Sequence, residues 1–218
     1  MMRMTPIGRF SLSLFLWLPV CFGAWYFSSI ILVMPIAWML DGVMTLMLPS
    51  VISGVGAAGN HLVVETLIAT QQAGASPGEV GEILFKTNPL KYGYSLPLYT
   101  ALVLAAPETE RDKILAWLVG ALVLILVQVF GIGAEILKVI AFGLGAEGRA
   151  YLALDGFGEN ALALAYQLGY LILPPVAPIM LWMFQFRSIL GPLTGGAFNP
   201  PEQAEGETGT PPDASRRG

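Results

Sequence analysis

From Phe10 to Leu40 the chain carries no charged residue, the first charge being Asp41. No other feature restricts its possible folds as strongly. Inside a bilayer every backbone N–H and C=O must be satisfied within the segment, so such a run reads as a helix. Crossing takes about 20 apolar residues at 1.5 Å each, and Phe10 to Leu32 suffices for a first span. The remainder, around Pro35, Trp38 and Asp41, is expected to bend into the interface, with Trp25, Tyr26 and Trp38 as anchors. The run is longer than the roughly 7–15 apolar residues of a cleavable signal, and no small-x-small site follows it. Pro19 and Val20 precede Cys21 where a lipoprotein site needs small residues. The segment is expected to stay attached as a signal anchor.

Three more apolar stretches follow. Leu90–Ala106 lies at the short limit and contains Pro97. Ile114–Leu144 is long enough to tilt or protrude. Ala161–Phe186 is interrupted by Pro174, Pro175 and Pro178, which remove donors and should kink or break it. Composition agrees: 55% of the 218 residues are hydrophobic and 12% charged, with mean hydropathy +0.68. A soluble domain carries about 25% charge, so an ordinary soluble enzyme is excluded. A net charge of −4 argues against nucleic acid as a partner. One cysteine and one histidine exclude an internal disulfide and make a Cys/His metal site improbable; no cofactor is expected.

The fold class expected is an all-α membrane protein of about four transmembrane helices with a small β-hairpin-like extracytoplasmic loop. Arg3, Arg9, Arg111, Lys113, Arg187, Arg216 and Arg217 fall on one side of that topology, seven of the eleven basic residues. The positive-inside rule therefore places both termini in the cytoplasm. Residues 1–9 form the cytoplasmic N-terminus, 10–187 the membrane domain, and 41–89 the outer loop. Within that loop, His61–Thr70 and Glu82–Thr87 read as strands joined through Gly74, Pro77 and Gly78. Residues 188–218, rich in Pro, Gly and Glu, read as a disordered cytoplasmic tail.

Glu135 and Lys138 are the charges well inside an apolar run, and three residues apart they share a helix face, with Gln128 seven before Glu135. Charge at that depth calls for a partner or a function. One reading makes them a pair at the outer end of the span; the other makes Glu135 a functional carboxylate of a small transporter or channel subunit. Tyr166, Gln167 and Tyr170 form a second polar cluster before the Pro174-Pro175 break, suited to interhelical contacts or to a cavity lining. Asn88-Pro89-Leu90-Lys91-Tyr92-Gly93-Tyr94-Ser95-Leu96-Pro97 reads as an interfacial turn, with Asn88, Tyr92 and Tyr94 as candidate partner contacts. Cys21 and His61 lie at different depths and do not read as a catalytic pair. Gly131 and Gly133, with Gly143 and Gly145, lack a preceding strand and a following lysine, so they read as helix-packing sites. No catalytic constellation is apparent, and the chain reads as a non-enzyme.

Taken in order, Leu16-Trp17-Leu18-Pro19, the string Asn88 to Leu98, Gln128-Val129-Phe130-Gly131, Glu135-Ile136-Leu137-Lys138 and Tyr166-Gln167-Leu168-Gly169-Tyr170-Leu171-Ile172-Leu173-Pro174 resemble the exosortase-H-associated membrane proteins. The resemblance covers about residues 10–187. It implies the inner membrane of a Gram-negative bacterium, beside an exosortase, a multi-pass transpeptidase-like enzyme acting on proteins with a C-terminal sorting signal. The exosortase or its substrates would be partners along with the lipid bilayer, and an oligomer is compatible with it. The resemblance carries no activity of its own, so an accessory role is what it implies.

Overall fold

The computed structural model of the protein describes residues 5–70 and 81–193. Helix α1 (Pro6–Phe27) starts at Thr5, whose hydroxyl accepts the Gly8 N–H at 3.2 Å, with Pro6 at the first helical position. Helix α2 (Ser29–Met47) follows after one residue. Ser28 donates to the Ala24 carbonyl at 3.0 Å and accepts from Ile31 and Leu32 at 3.0 and 3.2 Å, so hydrogen bonding runs through the joint. Through the expected bend after Leu32 the chain stays helical, to Met47. Pro35 deletes one donor only, and α2 is held because Val33, Ile36, Ala37, Leu40 and Met44 bury against the outer core. From Pro6 to Met47 the helical path is about 60 Å long, twice the hydrocarbon thickness of about 30 Å.

That outer core is closed by a three-stranded antiparallel sheet, β1 (Ile52–Ala58), β2 (His61–Thr70) and β3 (Gly81–Thr87), in the order β1-β2-β3. The expected β2–β3 hairpin is present, with Val64 opposite Phe85; its connection through Gly74, Pro77 and Gly78 lies outside the described residues. Strand β1 was not expected, since Gly54, Gly56, Ala57 and Ala58 have little strand preference. It forms for tertiary reasons: Val55 packs inward, and its N–H donates to the Asp41 carboxylate of α2 at 2.8 Å. Gly59, at φ +62°, supplies the positive φ of the tight β1–β2 loop. Asp41→Ala is expected to cost about 1 kcal/mol locally and to speed amide exchange at Val55 while leaving β2 protected.

The segment expected as span two is instead two short helices, α3 (Leu90–Gly93) and α4 (Ser95–Ala105), which meet at Tyr94. At eleven residues α4 covers only about 16 Å. It lies buried at Tyr99, Ala101, Leu102 and Val103, packed by α1 and by the helices that follow. Helix α5 (Glu110–Lys138) continues through a wide turn at Val139–Gly143, where the Leu144 N–H reaches back five residues to Val139. Then come α6 (Gly145–Leu152) and α7 (Gly156–Gln167), a second wide turn at Leu168–Ile172, α8 (Leu173–Gln185) and α9 (Arg187–Leu193). Pro174 and Pro175 stand in the first turn of α8, where a missing N–H costs least. The break in the fourth span is thus a widened turn followed by a proline start.

Among the described residues four stretches are long and apolar enough to cross a membrane: Pro6–Phe27, Ser29–Met47, Glu110–Gly143 and Gly156–Gln185. By length and apolarity α2 is among the four and 90–106 is not, yet α3 and α4 carry the chain from the sheet back to the end of the bundle where α1 starts. Two cores stack along α5. One joins α2, the sheet, Tyr92 and the second half of α5; the other joins α4, the first half of α5 and α8 around Tyr99, Leu124 and Trp182. Phe10 stacks on Trp182 at 5.2 Å and Ser188 reaches Glu108 at 3.5 Å, so the start of α1, the α4–α5 connection and α9 share one end of the bundle.

Candidate functional site

Thr87 closes β3, Lys91 lies in α3, and both converge on Glu135 of α5. Lys91 Nζ forms an ion pair with Glu135 Oε1, and the Thr87 hydroxyl donates to Oε2 at 2.6 Å. The Glu135 side chain is 12% exposed and that of Lys91 34%. Two helical turns along, buried Gln128 donates from Nε2 to the Pro89 carbonyl at 3.2 Å. One polar face of α5 thereby fastens the segment from Thr87 to Lys91. The C-terminal end of the sheet's last strand thus connects to the bundle through satisfied polar contacts, which is what a low-dielectric site requires.

Glu135 and Lys138 do not pair. Lys138 Nζ stands 3.9 Å above the Tyr166 ring of α7, a cation–π contact. Tyr166 stacks on Tyr170 at 5.7 Å, Tyr170 meets Tyr92 edge-on at 5.7 Å, and Lys91 lies 5.6 and 5.8 Å from the Tyr92 and Tyr170 rings. Two lysines, one carboxylate and three tyrosines form one continuous cluster. Tyr170 enters it from the widened turn at Leu168–Ile172. Such turns re-aim side chains that a regular helix would direct elsewhere.

Gly131 makes the crossing possible. A Cβ there would lie 2.8 Å from Tyr92 Cδ1 and 2.9 Å from the Gly169 carbonyl oxygen, and one on Gly169 would lie 2.7 Å from Gly131 Cα. Gly133 faces the Met44 methyl at 3.1 Å, whereas the nearest neighbour of Gly143 is Val139 of its own turn.

Of the candidate residues, Glu135, Lys138, Gln128, Tyr92 and Tyr166 come together. Asn88 instead accepts the Leu90 N–H at 3.0 Å and starts α3. Tyr94 is half-buried at the α3–α4 joint, and Gln167 is exposed beside the cluster. Tyr92, Gly93, Ser95 and Pro97 are buried, so the turn from Asn88 to Pro97 belongs mainly to the interior. Lys91 and Thr87 are the participants that sequence reasoning misses. Lys91 reads there as a loop cation, and the one usable signal is an unmatched lysine at the same depth as an unmatched glutamate.

Cys21 is buried in α1 and His61 begins β2, and no contact joins them among the described residues. No group of three or more His, Cys, Asp or Glu side chains among the described residues is placed to hold a metal. With both Glu135 oxygens engaged, the cluster works chemically as a clamp.

Long apolar helices, a buried polar clamp between them and a small sheet on one end define a multi-pass helical membrane protein. The chain belongs to the exosortase H-associated membrane protein family, whose model matches residues 4–189. No curated protein and no solved structure matches it.

Proposed function

We infer that this protein is a non-catalytic accessory component of an exosortase protein-sorting system in the bacterial inner membrane, assisting enzyme assembly or substrate handling. The observation that carries this reading is the family match over residues 4–189. The geometry supports it in a specific way: Glu135 is spent on Lys91 and Thr87, so a buried carboxylate ties the sheet to the bundle. Both chain ends are cytoplasmic in this reading. Arg9, Arg111, Lys113 and Arg187 cluster at the end where Phe10 meets Trp182, as the positive-inside rule favours. The sheet then faces outward and offers Leu67 and Leu84, 44% and 61% exposed, to a partner.

The test is a mild crosslink and detergent pull-down of tagged protein from its native membrane, read by mass spectrometry. An exosortase or proteins bearing its sorting signal should be recovered. In a deletion strain, sorted proteins should lose normal processing or location; full processing and correct placement would overturn the reading. A transporter built on Glu135 and Lys138 instead requires Glu135→Gln to abolish flux at unchanged abundance.

A further inference from the structure

We propose that the groove between α1 and α4 binds one acyl chain of a bilayer phospholipid whose headgroup sits at the Lys113 end. A cavity of about 360 Å³ lies there, walled by Trp17, Cys21 and Trp25 of α1, Leu96 and Leu104 of α4, and Trp117 of α5. This falls in the usual size range of ligand sites, about 300–1,000 Å³. Thr100 is the hydroxyl in its wall from α4, and it is already satisfied, donating to the Leu96 carbonyl at 2.8 Å and accepting from Trp117 Nε1 at 2.9 Å. The wall is left apolar.

Shape selects the occupant. From Trp17 to Leu32 the groove follows α1 and the start of α2 for about 22 Å, so a volume of about 360 Å³ leaves a cross-section of about 16 Å². A helix, about 10–12 Å across, needs roughly six times that. A single polymethylene chain fits. Depth agrees, because Trp17–Phe27 is the second half of a membrane-crossing stretch, where apolar chains are the surrounding medium.

Charge sets the direction. A second hollow of about 220 Å³ shares Thr100, Leu104 and Trp117 and runs to Glu110 and Lys113. Lys113 bonds Glu110 at 3.2 Å, yet the Glu110 side chain is 81% exposed, and that of Lys113 14%. The ammonium can therefore be shared with a phosphate while the carboxylate stays in water. Arg111 and Arg9 lie at the same end of the bundle.

The experiment places the full chain in nanodiscs of phosphatidylglycerol or phosphatidylcholine, then dilutes it into mild detergent for native mass spectrometry and phosphate assay. The expected result is about one phospholipid retained per chain. Ala24→Trp, which fills the groove, should lower retention about tenfold, and Lys113→Ala should erase the preference for phosphatidylglycerol. Equal retention in Ala24→Trp and the parent, or no retained lipid, would overturn the proposal, as would a partner protein captured in the groove by crosslinking from Cys21. Should Ala24→Trp not fold, a phospholipid brominated on its acyl chain decides with the parent chain. Tryptophan quenching that survives dilution supports the site, and quenching that vanishes overturns it.

Discussion

Glu135→Ala is expected to destabilise the protein by about 2–3 kcal/mol, the cost of leaving a cation and a hydroxyl without their partner inside the fold. The value falls at or below the bottom of the range of about 3–5 kcal/mol for broken buried pairs, because Lys91 is one-third exposed and can recover some hydration. In practice the variant should melt earlier in detergent and accumulate less in the membrane. Glu135→Gln keeps an acceptor for Thr87 and a dipole for Lys91, so it should lose about half as much. The double variant Lys91→Met/Glu135→Leu removes both charges and should return to within about 1 kcal/mol of the parent. Parent-like melting of Glu135→Ala would rule out the clamp.

Gly131→Val is the second large effect. Its new Cβ would meet the Gly169 carbonyl at 2.9 Å and the Tyr92 ring at 2.8 Å, and a backbone carbonyl held in a packed turn cannot swing aside. Overpacking of this kind costs about 1–3 kcal/mol, and two backbones in contact put it at the upper end. The α5 crossing must open, drawing Tyr170 off Tyr92. Gly133→Ala is the comparison: its Cβ meets only the Met44 methyl at 3.1 Å, a flexible side-chain end, so its cost should stay below about 1 kcal/mol. Thermal unfolding of both variants side by side checks the contrast, and equal losses would mean that close backbone approach is not what Gly131 provides.

The long third span and the β2–β3 hairpin were readable because each carries its own local pattern: continuous apolar residues in one, β-branched residues in the other. The division of span two into two short buried helices was not readable, for a related reason. Residues 90–106 are as apolar as a membrane helix, but they break at Tyr94 and are buried against protein on several sides. Apolar texture does not distinguish a wall of protein from lipid. Strand β1, with its glycines and alanines, has no local signal; Asp41 and α2 hold it from outside. The helix through Ser28 escaped notice because the aromatic residues and Pro35 mark an interface equally well.

The candidate site shows the same division. That Glu135 needs a partner follows from its apolar surroundings and the cost of charge there. Lys138, three residues on, was the natural choice because it shares the helix face. Position on one helix says which side chains point the same way, and not which neighbouring element they meet. Here β3 and α3 arrive on one flank of α5 with Thr87 and Lys91, and α7 on another with Tyr166. Membrane residence, the scarcity of charge and the helical character are properties of residues and their order, because transfer into lipid acts on each segment separately. The pairing of Glu135, the burial of α4 and the existence of β1 depend on contacts between segments far apart in the chain, which arise only once the bundle has assembled.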